Sequence, residues 1–295
     1  MISEQTMNTV KYVLITAAKN EESFIEKTIQ SVINQLHKPA EWIIVSDGST
    51  DTTEYIVSKY TSENSFIKLL VNNRKEARDF ASKVYAINIG LKNIQTSDYD
   101  YIGILDADVS FEKDYYSSLI EEFKKNPKLG IIGGNYFDII NGRKIPVRPS
   151  PYSVRGATQF FRRKCFDQIG GLIPMQFGGE DAAACFAARM YGWETKNFPD
   201  LVVLHHRPTG LVGKNLLKAR LRDGFVEYNL GYHPLFQFVK CIKRVNQNPY
   251  FIGSLIRFIG FWIARFKFEN QNVPAELRIF IRKEQAFRLF HINIK

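Results

Sequence analysis

The first half of the chain alternates short apolar runs with helical segments, and this alternation constrains the fold more than any other feature. Apolar runs of strand length lie at 11–17, 42–46, 66–71 and 101–105. Around them, apolar residues recur every three or four positions, as on one face of a helix, at 23–35, 76–92 and 112–125. Strands joined through helices pair in parallel and need helices on both faces of the sheet. The pattern therefore predicts an open, mostly parallel α/β sheet through about residue 205.

The excess positive charge of the chain lies entirely in its last third. Residues 205–295 contain 16 lysines and arginines against 5 aspartates and glutamates, whereas residues 1–204 contain 24 against 25. A cationic block of this kind attracts anions such as phosphates, anionic lipids or nucleic acid. We therefore divide the chain into an α/β domain, residues 1–205, and a basic, mostly helical region, residues 206–295.

The basic region contains an amphipathic helix at 251–268. Arg257 marks one side of this helix, flanked by Arg265 and Lys267. The opposite side is apolar and consists of Ile252, Leu255, Ile259, Trp262 and Phe266. The charges interrupt the long apolar run that a membrane span needs, so two alternatives stay open. Either the apolar stripe lies in a membrane interface, which we favour because the neighbouring helices are also basic, or it packs against the sheet.

Cysteine content and the N-terminus indicate the compartment. The three cysteines, Cys165, Cys185 and Cys241, form no Cys-x-x-Cys pair, which argues against a disulfide framework or a cysteine zinc site. The first ten residues lack a basic start followed by an apolar run, so we infer no signal peptide. We expect a cytoplasmic protein that is held peripherally on the inner face of the cell membrane.

Polar segments follow three of the apolar runs, at 16–22, 46–49 and 106–108. In an open α/β sheet, ligands bind beyond the carboxyl ends of the strands. Asp106 and Asp108 stand two positions apart in an extended segment, so their carboxylates point the same way. Such a pair can hold Mg²⁺ or Mn²⁺, whose remaining ligands come from the phosphate oxygens of a substrate. The three segments therefore predict a metal-assisted site for a phosphorylated ligand.

Several motifs, in this order, resemble those of the family 2 glycosyltransferases. They are the opening TAAKNEE, the turn IIVSDGSTD, the segment AINIG, the pair LDAD, FRRKCFDQIGG and GGEDAAACFAARMYGW. The resemblance runs from about residue 11 to residue 230. It implies the GT-A fold, an inverting mechanism and a nucleotide-diphosphate-sugar donor. Ala17 departs from the pattern, because many members have proline there. The departure has no consequence if this segment contacts the nucleobase through backbone groups.

The resemblance also implies a set of donor-binding residues. By position, Asp47 hydrogen-bonds the nucleobase, while Thr16, Ala17 and Glu21 line the pocket around the donor. Lys83 stands where relatives often place a basic residue near the nucleotide. For Asp47 and Lys83, a structural role is the alternative to donor binding. Asp47 is otherwise a turn aspartate that caps the following helix, and Lys83 is otherwise a solvated helix lysine. Among nucleotides, the resemblance favours a UDP-sugar slightly over GDP- or dTDP-sugars.

The expected metal site follows from the same resemblance. Asp108 would ligate a divalent Mn or Mg ion that bridges the diphosphate, and Asp106 would contact the ribose or the water shell of the metal. Some relatives use a histidine at the position of His205 or His206 as a further metal or diphosphate contact. Because side chains alternate along a strand, only one of the two faces the site. We favour His205, and the alternative is a structural histidine.

Glu180 and Asp181 form the expected catalytic pair. In the family, the corresponding acidic pair faces the acceptor, and its aspartate is the general base. Inverting transfer needs such a base, because a sugar hydroxyl must lose its proton as it attacks the anomeric carbon opposite the departing nucleotide diphosphate. Alternatively, the two carboxylates merely complement the positive N-terminus of a helix.

Four basic residues are further candidates. Arg207 and Lys214, in a glycine-flanked loop, are expected to close over the diphosphate. Arg162 and Arg163 follow a predicted strand on the acceptor side, where they either line the acceptor site or project into solvent.

We therefore expect a glycosyltransferase of the hexosyltransferase type that adds a single sugar to a lipid-linked or cell-surface glycan. The sequence lacks the Gln-x-x-Arg-Trp signature of processive polysaccharide synthases. One alternative, a sugar-phosphate nucleotidylyltransferase, needs a glycine-rich loop, whereas residues 16–22 contain no glycine. The other alternative, a non-catalytic anion- or lipid-binding protein, leaves the ordered acidic segments unexplained. We expect no nucleic acid partner.

Overall fold

The computed structural model describes residues 10–73, 80–147, 153–207, 216–267 and 271–290. The strands within these residues are β1 (Tyr12–Ala18), β2 (Glu41–Asp47), β3 (Ile67–Asn72), β4 (Tyr101–Leu105), β5 (Val109–Phe111), β6 (Leu129–Ile140), β7 (Arg143–Pro146), β8 (Thr158–Arg162) and β9 (Glu194–His205). The helices of the α/β part are α1 (Ile25–Ile33), α2 (Thr53–Glu63), α3 (Phe80–Lys92), α4 (Tyr115–Lys125), α5 (Arg163–Ile169) and α6 (Glu180–Met190). Four more helices follow: α7 (Leu216–Asn229), α8 (Pro234–Ile242), α9 (Ile252–Lys267) and α10 (Ala275–Phe290).

All of these strands belong to one mixed sheet. Its order is β3-β2-β1-β4-β8-β6-β9-β5, and β7 pairs with β6. The strands β3, β2, β1 and β4 pair in parallel, whereas β8 is antiparallel to β4 and β6. The predicted α/β fold is confirmed. The parallel half places the carboxyl ends of β1, β2 and β4 at the same edge of the sheet.

The two faces of the sheet bury two separate apolar clusters. Alternate residues of β1 point to opposite faces, so that Tyr12 and Leu14 belong to one cluster and Val13 and Ile15 to the other. Helices α1, α2 and α4 cover the first cluster, and helices α3, α5 and α6 cover the second. These β1 residues are completely buried, as the continuous apolar runs in the sequence predict.

The C-terminal helices pack on α6 through a third apolar cluster. This cluster joins Phe186 of α6 to Tyr228 of α7, Phe261 of α9 and Ile281 of α10. Helices α7 and α9 cross with their backbones in contact, because a Cβ atom on Gly224 would lie only 2.2 Å from the carbonyl oxygen of Arg257. The division of the chain at residue 205 stays a prediction.

The amphipathic helix predicted at 251–268 forms as α9, but the side marked by Arg257 faces the protein, while Arg265 and Lys267 are exposed. Arg257 is only 8% exposed and forms a salt bridge with the buried Glu227 of α7. On the opposite side, Leu255 is 58% exposed and Phe266 is 82% exposed. The alternative in which the apolar stripe packs against the sheet is therefore wrong. A buried carboxylate partner overrides the usual preference of apolar side chains for the interior. Within the described ranges, every helix is too short or too polar to cross a bilayer.

Candidate active site

A cleft of about 860 Å³ opens at the carboxyl ends of β1, β2 and β4. The sheet contributes Ala17, Asp47 and Asp108, either from these strand ends or from the segments that follow them. The N-terminus of α6 forms one wall of the cleft. Helices α7, α8 and α9 form the far end, where Arg257 lines the cleft from the inner side of α9. The cleft therefore lies where an open α/β sheet is expected to bind ligands.

The end of β2 and the segment after β1 form the side of the cleft predicted to bind the nucleobase. Asp47 is 4% exposed, and its Oδ1 accepts a hydrogen bond from Asn72 Nδ2 at 2.7 Å. Asp47 does not cap α2, which begins at Thr53. Ala17 and Glu21 both line the cleft.

Thr16 does not line the cleft as predicted. Its side chain is fully buried, and its Oγ1 accepts a hydrogen bond from the indole Nε1 of Trp42 at 3.0 Å. The alternation of β1 explains the difference, because Thr16 points into the interior while Ala17 faces the other way. Thr16 therefore contributes to the core beneath the site and is not a side-chain contact to a ligand.

Lys83 of α3 links two acidic parts of the cleft. Its Nζ lies 2.6 Å from Asp106 Oδ1 and 3.9 Å from Glu180 Oε1. Burial alone lowers the pKa of Lys83, but the Asp106 and Glu180 carboxylates outweigh burial and raise it. Lys83 is therefore a charged residue of the site and not a solvated helix lysine.

Asp108 and His205 meet at the centre of the cleft. His205 Nε2 lies 3.5 Å from Asp108 Oδ1, and His205 Nδ1 lies 2.9 Å from Oδ1 of Asp138 in β6. Burial lowers the pKa of His205, but the Asp108 and Asp138 carboxylates raise it to about 8. His206 points away from the cleft, where its Nε2 lies 2.8 Å from Ser110 Oγ. The structure thus places His205 in the cleft, as the sequence predicts.

The carboxylate of Asp108 carries an oxygen suited to a further ligand. Asp108 is 8% exposed, and its Oδ1 is buried without a hydrogen bond. Its Oδ2 lies 3.8 Å from Arg207 Nε, and the Arg207 guanidinium also contacts Glu21 Oε2 at 2.5 Å. Burial raises the pKa of Asp108, but His205 and Arg207 outweigh burial and lower it. Asp108 is therefore ionised at neutral pH. Lys214, the other predicted diphosphate contact, lies outside the described residues.

A glycine turn brings the N-terminus of α6 to the cleft. Gly178 and Gly179 have φ angles of 89° and 102°, a backbone conformation that favours glycine. Asp181, in the first turn of α6, accepts a hydrogen bond on Oδ2 from the Gly156 amide at 3.1 Å. The side chain of its neighbour Glu180 is 13% exposed, and burial together with the nearby Asp181 raises the pKa of Glu180 against the opposing effect of Lys83. The two carboxylates therefore differ in environment.

Arg162 and Arg163 do not reach the cleft. Arg162 pairs with Tyr101, the first residue of β4. Asp106 follows the other end of that strand, so Arg162 lies at the end of β4 that is remote from the cleft. The Arg162 guanidinium donates to the carbonyl oxygens of Phe123 and Leu129, and that of Arg163 donates to the carbonyl oxygen of Ser97. The predicted acceptor role is therefore wrong for both arginines, because β8 runs antiparallel to β4 and carries its last residues away from the site.

Several lining residues were not predicted from the sequence. Asp138 is an acidic residue inside the apolar strand β6, and a carboxylate in such a strand is a signal that could have identified it. The far end of the cleft is lined by Arg222, Asp223 and Glu227 of α7, Lys240 of α8 and Arg257 of α9. These residues come from three separate helices, so only the fold reveals them as one group.

Sequence comparison decides what kind of protein carries this cleft. The model of the family described as "Glycosyl transferase family 2" matches residues 13–184, more than half of the chain. The chain belongs to glycosyl transferase family 2. The matched segment contains Asp47, Asp106, Asp108 and Asp181, and the protein is therefore a glycosyltransferase.

Curated relatives of this glycosyltransferase match over a limited segment. The poly-beta-1,6-N-acetyl-D-glucosamine synthase of Staphylococcus aureus (strain COL) is 37% identical over 122 residues, which are 41% of this chain and 27% of the relative. The poly-beta-1,6-N-acetyl-D-glucosamine synthase of Staphylococcus epidermidis is 35% identical over 123 residues, which are again 41% of this chain and 27% of the relative. The chain thus spans little more than a quarter of the relatives that it matches.

Solved structures share the GT-A fold with this glycosyltransferase. The mannosyltransferase PcManGT from Pyrobaculum calidifontis, in complex with GDP-Man and Mn²⁺, aligns with a TM-score of 0.57 and 16% identity over 95% of this chain and 81% of that chain. S. aureus TarS 1–349, in complex with UDP-GlcNAc, aligns with a TM-score of 0.56 and 15% identity over 94% and 81%. The predicted GT-A fold is confirmed.

Proposed function

We propose that this glycosyltransferase transfers a single sugar, with inversion, from a nucleotide-diphosphate-sugar to an acceptor hydroxyl. One observation carries the proposal. A single cleft brings together the carboxylates at the strand ends, Asp106 and Asp108, and the carboxylate at the start of α6, Asp181. The reaction needs both groups, one beside the leaving diphosphate and one beside the attacking hydroxyl.

The donor side of the site is assigned to the residues at the edge of the parallel strands. Asp47 holds the nucleobase, with the Ala17 backbone and Glu21 beside it. Arg207 binds the diphosphate, because its guanidinium lies next to Asp108 and is 39% exposed toward the cleft. Lys83 holds Asp106 in place and adds a positive charge near the phosphates.

The residues around Asp108 fit a divalent metal ion. Asp108 Oδ1 is buried and ionised and makes no hydrogen bond, although His205 Nε2 lies 3.5 Å from it, and a hard cation can satisfy such an oxygen. Asp106 and His205 supply the further oxygen and nitrogen donors that Mn²⁺ or Mg²⁺ accepts. Among the described residues, the structure contains no set of three or more acidic, histidine or cysteine ligands arranged around one point. We propose that Asp108 and the substrate diphosphate hold the ion, with Asp106 and His205 beside them. When bound, the ion would offset the negative charge that develops on the leaving nucleotide diphosphate.

Asp181 is proposed as the general base. The acceptor hydroxyl gives its proton to the Asp181 carboxylate as its oxygen bonds to the anomeric carbon, and the bond from that carbon to the diphosphate breaks on the opposite face. The Gly156 amide holds one carboxylate oxygen of Asp181 and fixes its direction. Glu180 is instead positioned toward Lys83, which suits a role in organising the donor side.

The comparisons guide the choice of donor and acceptor. The curated relatives are poly-N-acetylglucosamine synthases, and one structural neighbour contains UDP-GlcNAc. We therefore propose a UDP-sugar donor, with UDP-GlcNAc as the first compound to test. The acceptor is proposed to be a lipid-linked or cell-surface glycan in polysaccharide biosynthesis, modified at the cytoplasmic face of the membrane. The family assignment removes the nucleotidylyltransferase and non-catalytic alternatives.

Calorimetric binding of UDP, GDP and dTDP, each with and without Mn²⁺, tests the proposed donor site. We expect UDP to bind in a metal-dependent manner, and Asp108→Ala to abolish the metal dependence. The matched control is Asp98→Ala, because the Asp98 side chain is 78% exposed and lies before β4, at the opposite end of that strand from Asp106. Binding of none of the nucleotides, or equal binding by wild type and Asp108→Ala, would contradict the proposed donor site.

A further inference from the structure

The outward sides of α8 and α9 form one exposed apolar surface, which we call the outer face. We define the outer face by Leu235, Phe238 and Ile242 of α8 and by Leu255, Ile259 and Phe266 of α9, all 43–82% exposed. The two stripes meet where the rings of Phe238 and Phe258 lie 6.0 Å apart. Soluble proteins rarely expose a continuous apolar patch built from large side chains of two helices, and such a patch usually marks an interaction site.

Buried charge on the inner side fixes the orientation of this surface. Arg257 contacts the carboxylate of the buried Glu227, with Nε at 2.8 Å from Oε2, and contacts Asp223 at 3.3 Å. Lys240 of α8 adds a second cation at 2.6 Å from Glu227. Rotating either helix to bury its apolar stripe would expose or break these ion pairs. The apolar stripes therefore stay outward in the folded protein.

The charge of this region identifies the partner. From residue 228 to residue 268 the sequence contains six lysines and arginines and no aspartate or glutamate, and two of the six, Lys240 and Arg257, face inward and pair with Glu227. Lys243, at the end of α8, and Arg265, in the last turn of α9, are exposed beside the outer face. Exposed apolar residues bordered by cations are complementary to an anionic lipid surface. A second copy of this chain would bring like charges together, which opposes self-association through this surface.

We propose that the outer face docks onto an anionic lipid bilayer. The inner side of α9 lines the cleft through Arg257, and the outer face lies on the other side of the same helix. A helix with its side chains is about 10–12 Å across. Docking therefore places the far end of the cleft about one helix diameter from the lipid headgroups. In this position the cleft could reach an acceptor that is attached to lipid. That consequence rests on the proposed function, whereas the docking itself rests only on the residues of the outer face.

Vesicle co-sedimentation of the full chain tests the docking. The vesicles are phosphatidylcholine alone and phosphatidylcholine with phosphatidylglycerol. We expect wild type to bind the anionic vesicles, with a loss of binding at high salt. The double substitution Leu255→Asp and Ile259→Asp should weaken binding by about tenfold or more. The control is Leu36→Asp, because Leu36 is even more exposed, at 68%, but lies after α1 on the α/β part. It should bind as wild type does.

Further variants separate the possible failures. Lys243→Glu with Arg265→Glu should lower binding to anionic vesicles while leaving calorimetric UDP binding unchanged, which shows that the fold is intact. Asp181→Asn should bind vesicles as wild type does, so an inactive enzyme does not affect this test. Equal vesicle binding by wild type and Leu255→Asp/Ile259→Asp would overturn the proposal. An absence of wild-type binding to anionic vesicles would also overturn it. If, in that case, sedimentation velocity showed a dimer of the wild type that Leu255→Asp/Ile259→Asp lost, the outer face would be a contact between two copies of the chain.

Discussion

His205 Nδ1 lies 2.9 Å from Oδ1 of Asp138, a residue that is only 1% exposed. The same imidazole directs Nε2 toward Asp108 at 3.5 Å. With its pKa near 8, His205 must first lose the proton on Nε2 before that nitrogen can bind a ligand, while Nδ1 keeps donating to Asp138. Asp138 therefore orients His205 toward the centre of the cleft, in the manner of the carboxylate–histidine pairs that support metal ligands.

Removing the Asp138 carboxylate should weaken metal binding. We expect Asp138→Ala to lower the affinity for Mn²⁺ in the presence of UDP by about 10- to 100-fold, because the imidazole loses its orientation. Electron paramagnetic resonance of free Mn²⁺ measures this affinity. Asp138→Asn keeps an acceptor oxygen for Nδ1 and should lose less. Asp167→Asn is the surface control, because that side chain is 64% exposed. Unchanged Mn²⁺ affinity in Asp138→Ala would show that His205 does not depend on Asp138.

The Glu227 carboxylate should be essential for the stability of the C-terminal helices. It is fully buried between Arg257 and Lys240, and these cations outweigh burial and lower its pKa. Glu227→Gln leaves the buried Arg257 and the partly buried Lys240 undercompensated, so we expect a loss of about 3–5 kcal/mol in the free energy of unfolding. Urea denaturation measures it. Glu121→Gln removes an exposed carboxylate paired with Lys124 and should leave the urea midpoint unchanged. If Glu227→Gln and Glu121→Gln shifted the urea midpoint by similar amounts, Glu227 would not have this stabilising role.

Local sequence pattern was sufficient to predict the sheet and the acidic strand ends. Buried runs such as that of β1 are continuous in sequence, and residues at the carboxyl ends of parallel strands must share an edge. Asp47, Asp106 and Asp108 therefore lie in the cleft as predicted. Thr16 was misplaced because a run that is buried on both faces gives no alternation from which to determine the direction of a side chain.

Long-range relationships were out of reach of the same pattern. The periodicity of α9 defines two sides but does not say which one is buried. That depends on Glu227, which lies 30 residues earlier in the chain. The positions of Arg162 and Arg163 depend on the direction of β8, and no local signal gives the direction of a strand. Asp138 reaches His205 across 67 positions, through the pairing of β6 with β9.

Glu41 should make the protein sensitive to acid. Its side chain is 3% exposed, and it accepts hydrogen bonds from Lys68 Nζ at 2.8 Å and from the Thr96 amide at 2.8 Å. Burial raises the pKa of Glu41, but these donors outweigh burial and lower it below its ordinary value. A carboxyl with a lowered folded-state pKa stabilises the fold above its unfolded pKa, near 4.5, and loses that contribution as the pH falls through the folded pKa.

The comparison of wild type with Glu41→Gln isolates this contribution. The difference in unfolding free energy between them should be largest at pH 7 and should shrink as the pH is lowered from 5 to 3. Urea denaturation at several pH values measures it. Glu122→Gln, which removes a carboxylate paired with Lys125 within one helical turn, serves as the comparison. A difference for Glu41→Gln that stays constant from pH 7 to pH 3 would show that ionisation of Glu41 does not stabilise the fold.

The two acids at the start of α6 should separate into a base and an organising residue. Asp181→Asn keeps the hydrogen bond from the Gly156 amide but cannot take the acceptor proton, so we expect kcat to fall by about 10²- to 10⁴-fold while calorimetric UDP binding stays unchanged. Glu180→Gln removes a charge 3.9 Å from Lys83 and should affect donor binding more than kcat. Release of UDP from UDP-GlcNAc in the presence of membrane-derived glycan measures turnover. If Glu180→Gln abolished turnover while Asp181→Asn retained it, the roles would be reversed, since a buried carboxylate of raised pKa is also a competent base.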